Sequence, residues 1–108
     1  MKKAIISYLL DIGIKPHYKG FDYLVSALVL TTAAKSRMPI GEIYNLVAVE
    51  HGVTKDRVER CLRTVVTIHF ETMDNPPKYK FTNAEFIFLC TEQIKLRADT
   101  SSPSLDLT

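Results

Sequence analysis

No apolar run in this chain approaches the ~20 residues that a membrane-spanning helix needs. The opening stretch "MKKAIISYLL" pairs two lysines with a short apolar run. It breaks at Asp11 with no small-residue cleavage site after it, so no secretory signal is expected and the cytoplasm is the expected location. Cysteine is scarce. Cys61 and Cys90 both fall inside apolar helical patterns, where a free cysteine behaves as a small hydrophobe, and two residues make no disulfide framework. CxxC and HxxxH spacings are missing, so the two cysteines and His17, His51 and His69 do not point to a metal. His51, beside Gly52, reads as a helix-end residue favoured by the C-terminal dipole; His69 reads as a core-edge residue and His17 as part of a turn. There is no phosphate-binding glycine loop, nucleophile elbow or HExxH motif, and Ser7, Ser26 and Ser36 have no identifiable paired base. The chain is therefore not expected to be an enzyme, and no cofactor is implied. A large charge excess is also lacking. Lysine and arginine number 14 against 12 acidic residues, a net charge of +2, so a partner must be sought in local clustering and not in the sum.

What is present fits one domain of 108 residues with an ordinary hydrophobic share of 46%. Breaks at glycine and proline divide it into five expected helices. The first covers about residues 4–12, with Ile5, Ile6, Leu9 and Leu10 apolar and Gly13 as its stop. After the turn "IKPHYKG", the second covers about residues 21–35, with a face of Phe21, Leu24, Val25, Leu28, Val29 and Thr32. Pro39 suits the first position of a third helix over about residues 40–50, where Ile43, Leu46, Val47 and Val49 are apolar. "HGV" makes a tight turn in which Gly52 takes the positive φ that closes a helix. Thr54 caps a fourth helix reaching about residue 70. The β-branched "VVTIHF" continues that helix's apolar period and is read as helical, not as a strand. "DNPPKYK" holds two adjacent prolines and cannot be helical. "TNAE" is a capping box, Thr82 with Glu85, opening a fifth helix to about residue 97. The tail "ADTSSPSLDLT", residues 98–108, is polar and expected to be disordered. The fold class is all-α, with residues 1–97 as a compact bundle.

The third and fourth helices with "HGVT" between them have the form of a helix-turn-helix, whose second helix enters the DNA major groove. The stretch "GVTKDRVERCLRT", residues 52–64, carries six charged side chains, three of them arginines within seven residues. With Asp56 at zero on a helical wheel, Arg63, Thr67 and Arg60 fall at about 340°, 20° and 40°. Val58, Cys61, Leu62 and Val65 fall between about 140° and 240°, on the opposite side. Arg57 and Glu59 flank the charged face on its two edges. Arginine's planar fork grips guanine O6 and N7 with two bonds, worth roughly 1–3 kcal/mol of discrimination. Glu59 can accept from a cytosine amino group or pair with Arg63 at i,i+4. Thr54, Lys55 and the free N–H groups of the helix start suit phosphates. A solvated face with internal ion pairs would show the same pattern.

Three separated motifs, "LLDIGIKPHYKGFDYL", "VTKDRVERCLRT" and "FTNAEFI", together resemble the C-terminal effector domain of the sporulation response regulators, the stage zero protein A family. The resemblance covers about residues 5–97. It implies a helical domain that binds promoter boxes in double-stranded DNA, often as a tandem pair, in transcription regulation of sporulation. The family's recognition-helix pattern places Glu59, Arg60 and Arg63 in the base-reading role. Thr54, Lys55, Asp56 and Arg57 lie where the helix start meets the backbone, with Thr64 and Thr67 flanking. Thr64 stands where the family has histidine. The family's phosphorylation pocket and divalent metal belong to a receiver domain that the resemblance does not cover, so neither is carried over, and the chain is expected to act as a stand-alone effector. The family also has an extra helix before its Thr-Asn motif, in a region associated with the transcription machinery. Only "ETMDNPPKYK" fills that gap, which implies DNA binding without activation, as a repressor or competitor. The implied partners are DNA, a second copy on DNA, and a full-length sporulation regulator or RNA polymerase. A second class stays open: an interaction module that pairs with a full-length regulator without touching DNA, using Tyr8, Tyr18, Tyr23, Tyr44 and Tyr79 as anchors. The loop residues Lys78, Tyr79 and Lys80 can flank DNA, flank a partner, or form a solvated linker.

Overall fold

The computed structural model describes residues 1–100, with side chains through residue 98. Five helices follow one another: α1 (Lys2–Asp11), α2 (Phe21–Ala33), α3 (Ile40–His51), α4 (Lys55–Glu71) and α5 (Asn83–Thr100). No strand occurs among the described residues, and "VVTIHF" is helical, with Val65 and Val66 buried. The all-α reading holds. None of these helices is long and apolar enough to cross a membrane. The eight residues beyond Thr100 in the expected disordered tail lie outside the described residues, while residues 98–100 continue α5.

Helix α2 is the central one. Six of its first eight positions are apolar and buried, and it packs against each of the other four helices. A helix apolar around most of its surface belongs inside. Ile5 and Leu9 of α1, Ile14 after it, Leu24 and Leu28 of α2, Val47 of α3, Val58 and Leu62 of α4 and Ile94 of α5 are sealed from solvent in one core. Each such side chain contributes roughly 1.5–3 kcal/mol relative to exposure.

The helix ends shift slightly from the sequence expectation, each for a local reason. Helix α1 starts at Lys2: Met1 is its N-cap, and the Met1 carbonyl accepts from Ile5 N at 3.0 Å, which opens the helical ladder ahead of Ala4. Helix α2 stops at Ala33: Thr31 and Thr32 turn their hydroxyls back onto carbonyls of the preceding turn, and Ala34 is extended (φ −71°, ψ 142°). Pro39 sits one place earlier than expected. It is the N-cap of α3, not its first residue: its ψ of 142° is extended, and its carbonyl accepts from Glu42 N and Ile43 N. Along α3 the buried side is Ile43, Val47 and Ala48. Val49, expected to share that apolar face, is 74% exposed, and Leu46 is also exposed. The Thr82–Glu85 capping box forms in both directions, Thr82 N to Glu85 Oε1 at 2.9 Å and Glu85 N to Thr82 Oγ1 at 3.1 Å.

Candidate nucleic-acid interface

The turn between α3 and α4 is closed by Gly52 in the left-handed region (φ 67°, ψ 36°). The amide of Val53 reaches back to the Ala48 carbonyl at 3.0 Å, so the last α3 carbonyls are satisfied within the turn. Thr54 then caps α4: its hydroxyl accepts from Arg57 N at 3.1 Å. Asp56 stands in the first turn, where a negative charge complements the helix dipole. Val58, Leu62, Val65 and Val66 bury one side of α4, and Cys61 is half-buried beside them. The opposite side is free. Lys55, Asp56, Arg60, Arg63, Thr64 and Thr67 are all exposed along it. The wheel drawn from sequence is therefore realised.

The charged face is ordered by contacts within the helix. Arg63 Nη2 lies 3.3 Å from Glu59 Oε1, the i,i+4 pair. In so exposed a position the pair adds little stability, but it limits the rotamers of the guanidinium. Thr64 donates its hydroxyl to the Arg60 carbonyl at 3.0 Å, which leaves its methyl and not a free donor at the surface. Arg60 makes no ion pair among the described residues and carries its fork into solvent.

Residues 5–94 match the family described as Sporulation initiation factor Spo0A C terminal. The chain belongs to that family. The match runs from α1 through most of α5 and includes the whole helix-turn-helix. The Spo0A C-terminal family is one of DNA-binding effector domains and not of enzymes, so double-stranded DNA is this chain's partner and transcription regulation its setting.

Within this Spo0A C-terminal domain, three positioning contacts escape a reading of sequence alone. Arg57 Nε donates to the hydroxyl of Tyr23 at 3.2 Å, and that bond holds the guanidinium pKa above its ordinary value. Tyr23 comes from α2 and is itself buried, so Arg57 is tethered at one edge of the charged face. At the other edge, buried Asn83 donates both hydrogens of its amide nitrogen, to Tyr44 Oη at 3.0 Å and to the Glu59 backbone carbonyl at 3.2 Å. This staples α3, α4 and α5 together at the Glu59 turn of α4. The sequence signal was only the Thr-Asn capping motif, which explains Thr82 and Glu85 and is silent about a contact 24 residues away. Burial is the main reason the Tyr44 hydroxyl is raised in pKa.

The third contact corrects the expectation that Ser26 has no basic partner. Its Oγ lies 2.8 Å from His51 Nε2 and donates to Glu50 Oε2 at 3.1 Å. A serine has one hydroxyl hydrogen. With that hydrogen on Glu50, His51 Nε2 must carry the proton it shares with Ser26, so it cannot act as a base toward it. Glu50 also faces that same nitrogen at 3.8 Å, instead of the far side of the ring where an orienting carboxylate belongs. The group is a polar clasp between α2 and the end of α3, with the Tyr23 ring edge-on to His51 at 4.9 Å.

Proposed function

We propose that this chain is a sequence-specific DNA reader of the sporulation-effector type that acts at promoter boxes as a repressor or competitor. Helix α4 enters the major groove. Glu59, Arg60 and Arg63 meet base edges, while Thr54, Lys55, Asp56, Arg57, Thr64 and Thr67 line the approach to the two backbones. The observation that carries this reading is the state of α4: one side is fully committed to the core, and the other is exposed, rich in arginine and held in register at both edges by Tyr23 and Asn83. A merely solvated helix face has no need of such tethers.

The reading of output rests on the segment between α4 and α5. Residues 72–82 contain no helix, so the element that the family resemblance associates with the transcription machinery is reduced to a loop. One domain presents one recognition helix, so useful affinity calls for two copies on DNA.

The test is fluorescence anisotropy with a duplex carrying the family's promoter box and a scrambled duplex of the same length. Wild type should prefer the box. Arg60→Ala and Arg63→Ala should each lose most of that preference, on the order of 1–3 kcal/mol. A folded protein that treats the two duplexes alike would sink the reading and turn the search toward protein partners. Stimulation of transcription from a box-bearing promoter would overturn the repressor or competitor part alone.

A further inference from the structure

The loop between α4 and α5 is not a slack linker. Pro76 and Pro77 preset its backbone, because each proline fixes its own φ and holds the residue before it extended. An aromatic ladder then fastens its far end. The Tyr79 ring meets Phe81 edge-on at 5.0 Å, Phe81 lies against Phe70 of α4 at 5.0 Å, and Phe70 meets Phe86 of α5 at 5.8 Å. Lys78 and Lys80 flank Tyr79 and are exposed, and neither makes an ion pair among the described residues. Tyr79 itself is 62% exposed in spite of its ring contact.

The position of this loop gives it meaning. A cavity of about 660 Å³ separates it from α4, and its walls include Glu59, Arg63 and Thr67 on one side and Lys78, Tyr79 and Lys80 on the other. Arg63 and Thr67 belong to the outward face of α4. The loop therefore stands beside the recognition face, on the Glu59 edge, opposite the edge where Tyr23 holds Arg57. Glu71 also lines the cavity, but it sits at the far end of α4 from the base-reading residues.

We infer that residues 76–80 form a second DNA-contacting element, a rigid basic arm whose Lys78 and Lys80 neutralise two backbone phosphates flanking the stretch read by α4. This rests on the reading of α4 as the recognition helix. Phosphate contacts of this kind set register and affinity and carry no sequence information directly. An arm that is already ordered loses little conformational freedom on binding. Tyr79, exposed between the two lysines, brings a phenol that can donate to the same backbone.

The experiment compares wild type, a Lys78→Ala/Lys80→Ala variant and a Lys2→Ala/Lys3→Ala variant, which removes the same charge from α1. Each is titrated by anisotropy onto box and scrambled duplexes from 50 to 200 mM salt. Loss of two phosphate contacts lowers the log–log salt slope by about 1.8, so over that fourfold salt range wild type should weaken roughly twelvefold more than the arm variant. The ratio of box to scrambled affinity should stay unchanged in the arm variant, and the α1 variant should keep the wild-type slope. An unchanged slope in the arm variant, while wild type still prefers the box, overturns the arm and leaves the reader standing. An equal fall in the α1 variant also overturns it, since charge anywhere would then serve. Absence of box preference in wild type removes both readings together.

Discussion

At the scale of single residues, Gly20 matters more than its place in a turn suggests. It caps α2 where that helix crosses α4, and a Cβ there would press on the backbone carbonyl of Cys61, with Val65 Cγ2 at 2.5 Å and the Cys61 carbonyl carbon at 2.9 Å. A side-chain tip can move aside, but a helix backbone cannot, so the start of α2 would have to lift off α4. Gly20→Ala is expected to destabilise the domain by about 1–3 kcal/mol, the range for overpacking a tight contact. Gly41 in α3 is the contrast. A Cβ there meets nothing within 4 Å, and alanine is the better helix former, so Gly41→Ala is expected to stabilise by up to about 1 kcal/mol. Urea unfolding of the two variants beside wild type checks both signs, and a neutral Gly20→Ala would mean that the α2–α4 approach is looser than described. Nothing in the sequence separates these two glycines: each stands next to an expected helix start, and only the neighbour across the fold tells them apart.

At the scale of elements, the parts legible in sequence are those set by local rules. The αL turn at Gly52, the Thr54 cap, the Thr82–Glu85 box and the apolar side of α4 each follow from residues within one or two turns of one another. The charged face of α4 was legible for the same reason. The tethers that hold that face were not, since Tyr23–Arg57 and Asn83–Glu59 join residues 34 and 24 positions apart. Val49 was misread because α3 buries a narrower stripe than its apolar residues suggest; only Ile43, Val47 and Ala48 of this helix are buried. The Asn83 staple yields a prediction at this scale. Asn83→Ala takes the donor from the half-buried Tyr44 hydroxyl and from the Glu59 carbonyl, a loss of about 1 kcal/mol. Asn83→Asp should be worse at neutral pH, because a carboxylate cannot donate and would face the Glu59 carbonyl with another acceptor. Unfolding midpoints ordered wild type, alanine, aspartate support a donor role for Asn83. Equal midpoints for the two variants would reduce the residue to a space filler.

At the scale of the whole molecule, a net charge of +2 conceals a division: Arg57, Arg60 and Arg63 stand exposed on α4, while no charged residue is buried among the described residues. His69 is the group whose titration would disturb that division. It lies half-buried on the inner side of the end of α4, with its ring 5.4 Å from Phe86, and burial lowers its pKa below the ordinary histidine value of 6.5. In the unfolded chain the same imidazole takes up a proton near its ordinary value. Between the two values the unfolded state binds more protons than the folded state, so stability rises with pH across that window. The contribution of neutral His69 is thus complete above about pH 6.5 and is lost as the pH falls from there toward the lower, folded value. Urea midpoints should be level from pH 8 to 7 and decline below about pH 6.5. His69→Phe keeps an aromatic ring against Phe86 and removes the titration, so its decline through the same window should be shallower than that of wild type. The α4 end that His69 helps to seat also carries Phe70, on which the aromatic ladder of residues 79–81 rests. Protonation at this point would loosen the base of the proposed arm before it loosens the recognition face. Between pH 7 and pH 6 the aromatic NMR signals of Tyr79 and Phe81 should then shift before amides in residues 58–66 lose hydrogen-exchange protection, and simultaneous change in both stretches would mean that the domain opens as one unit.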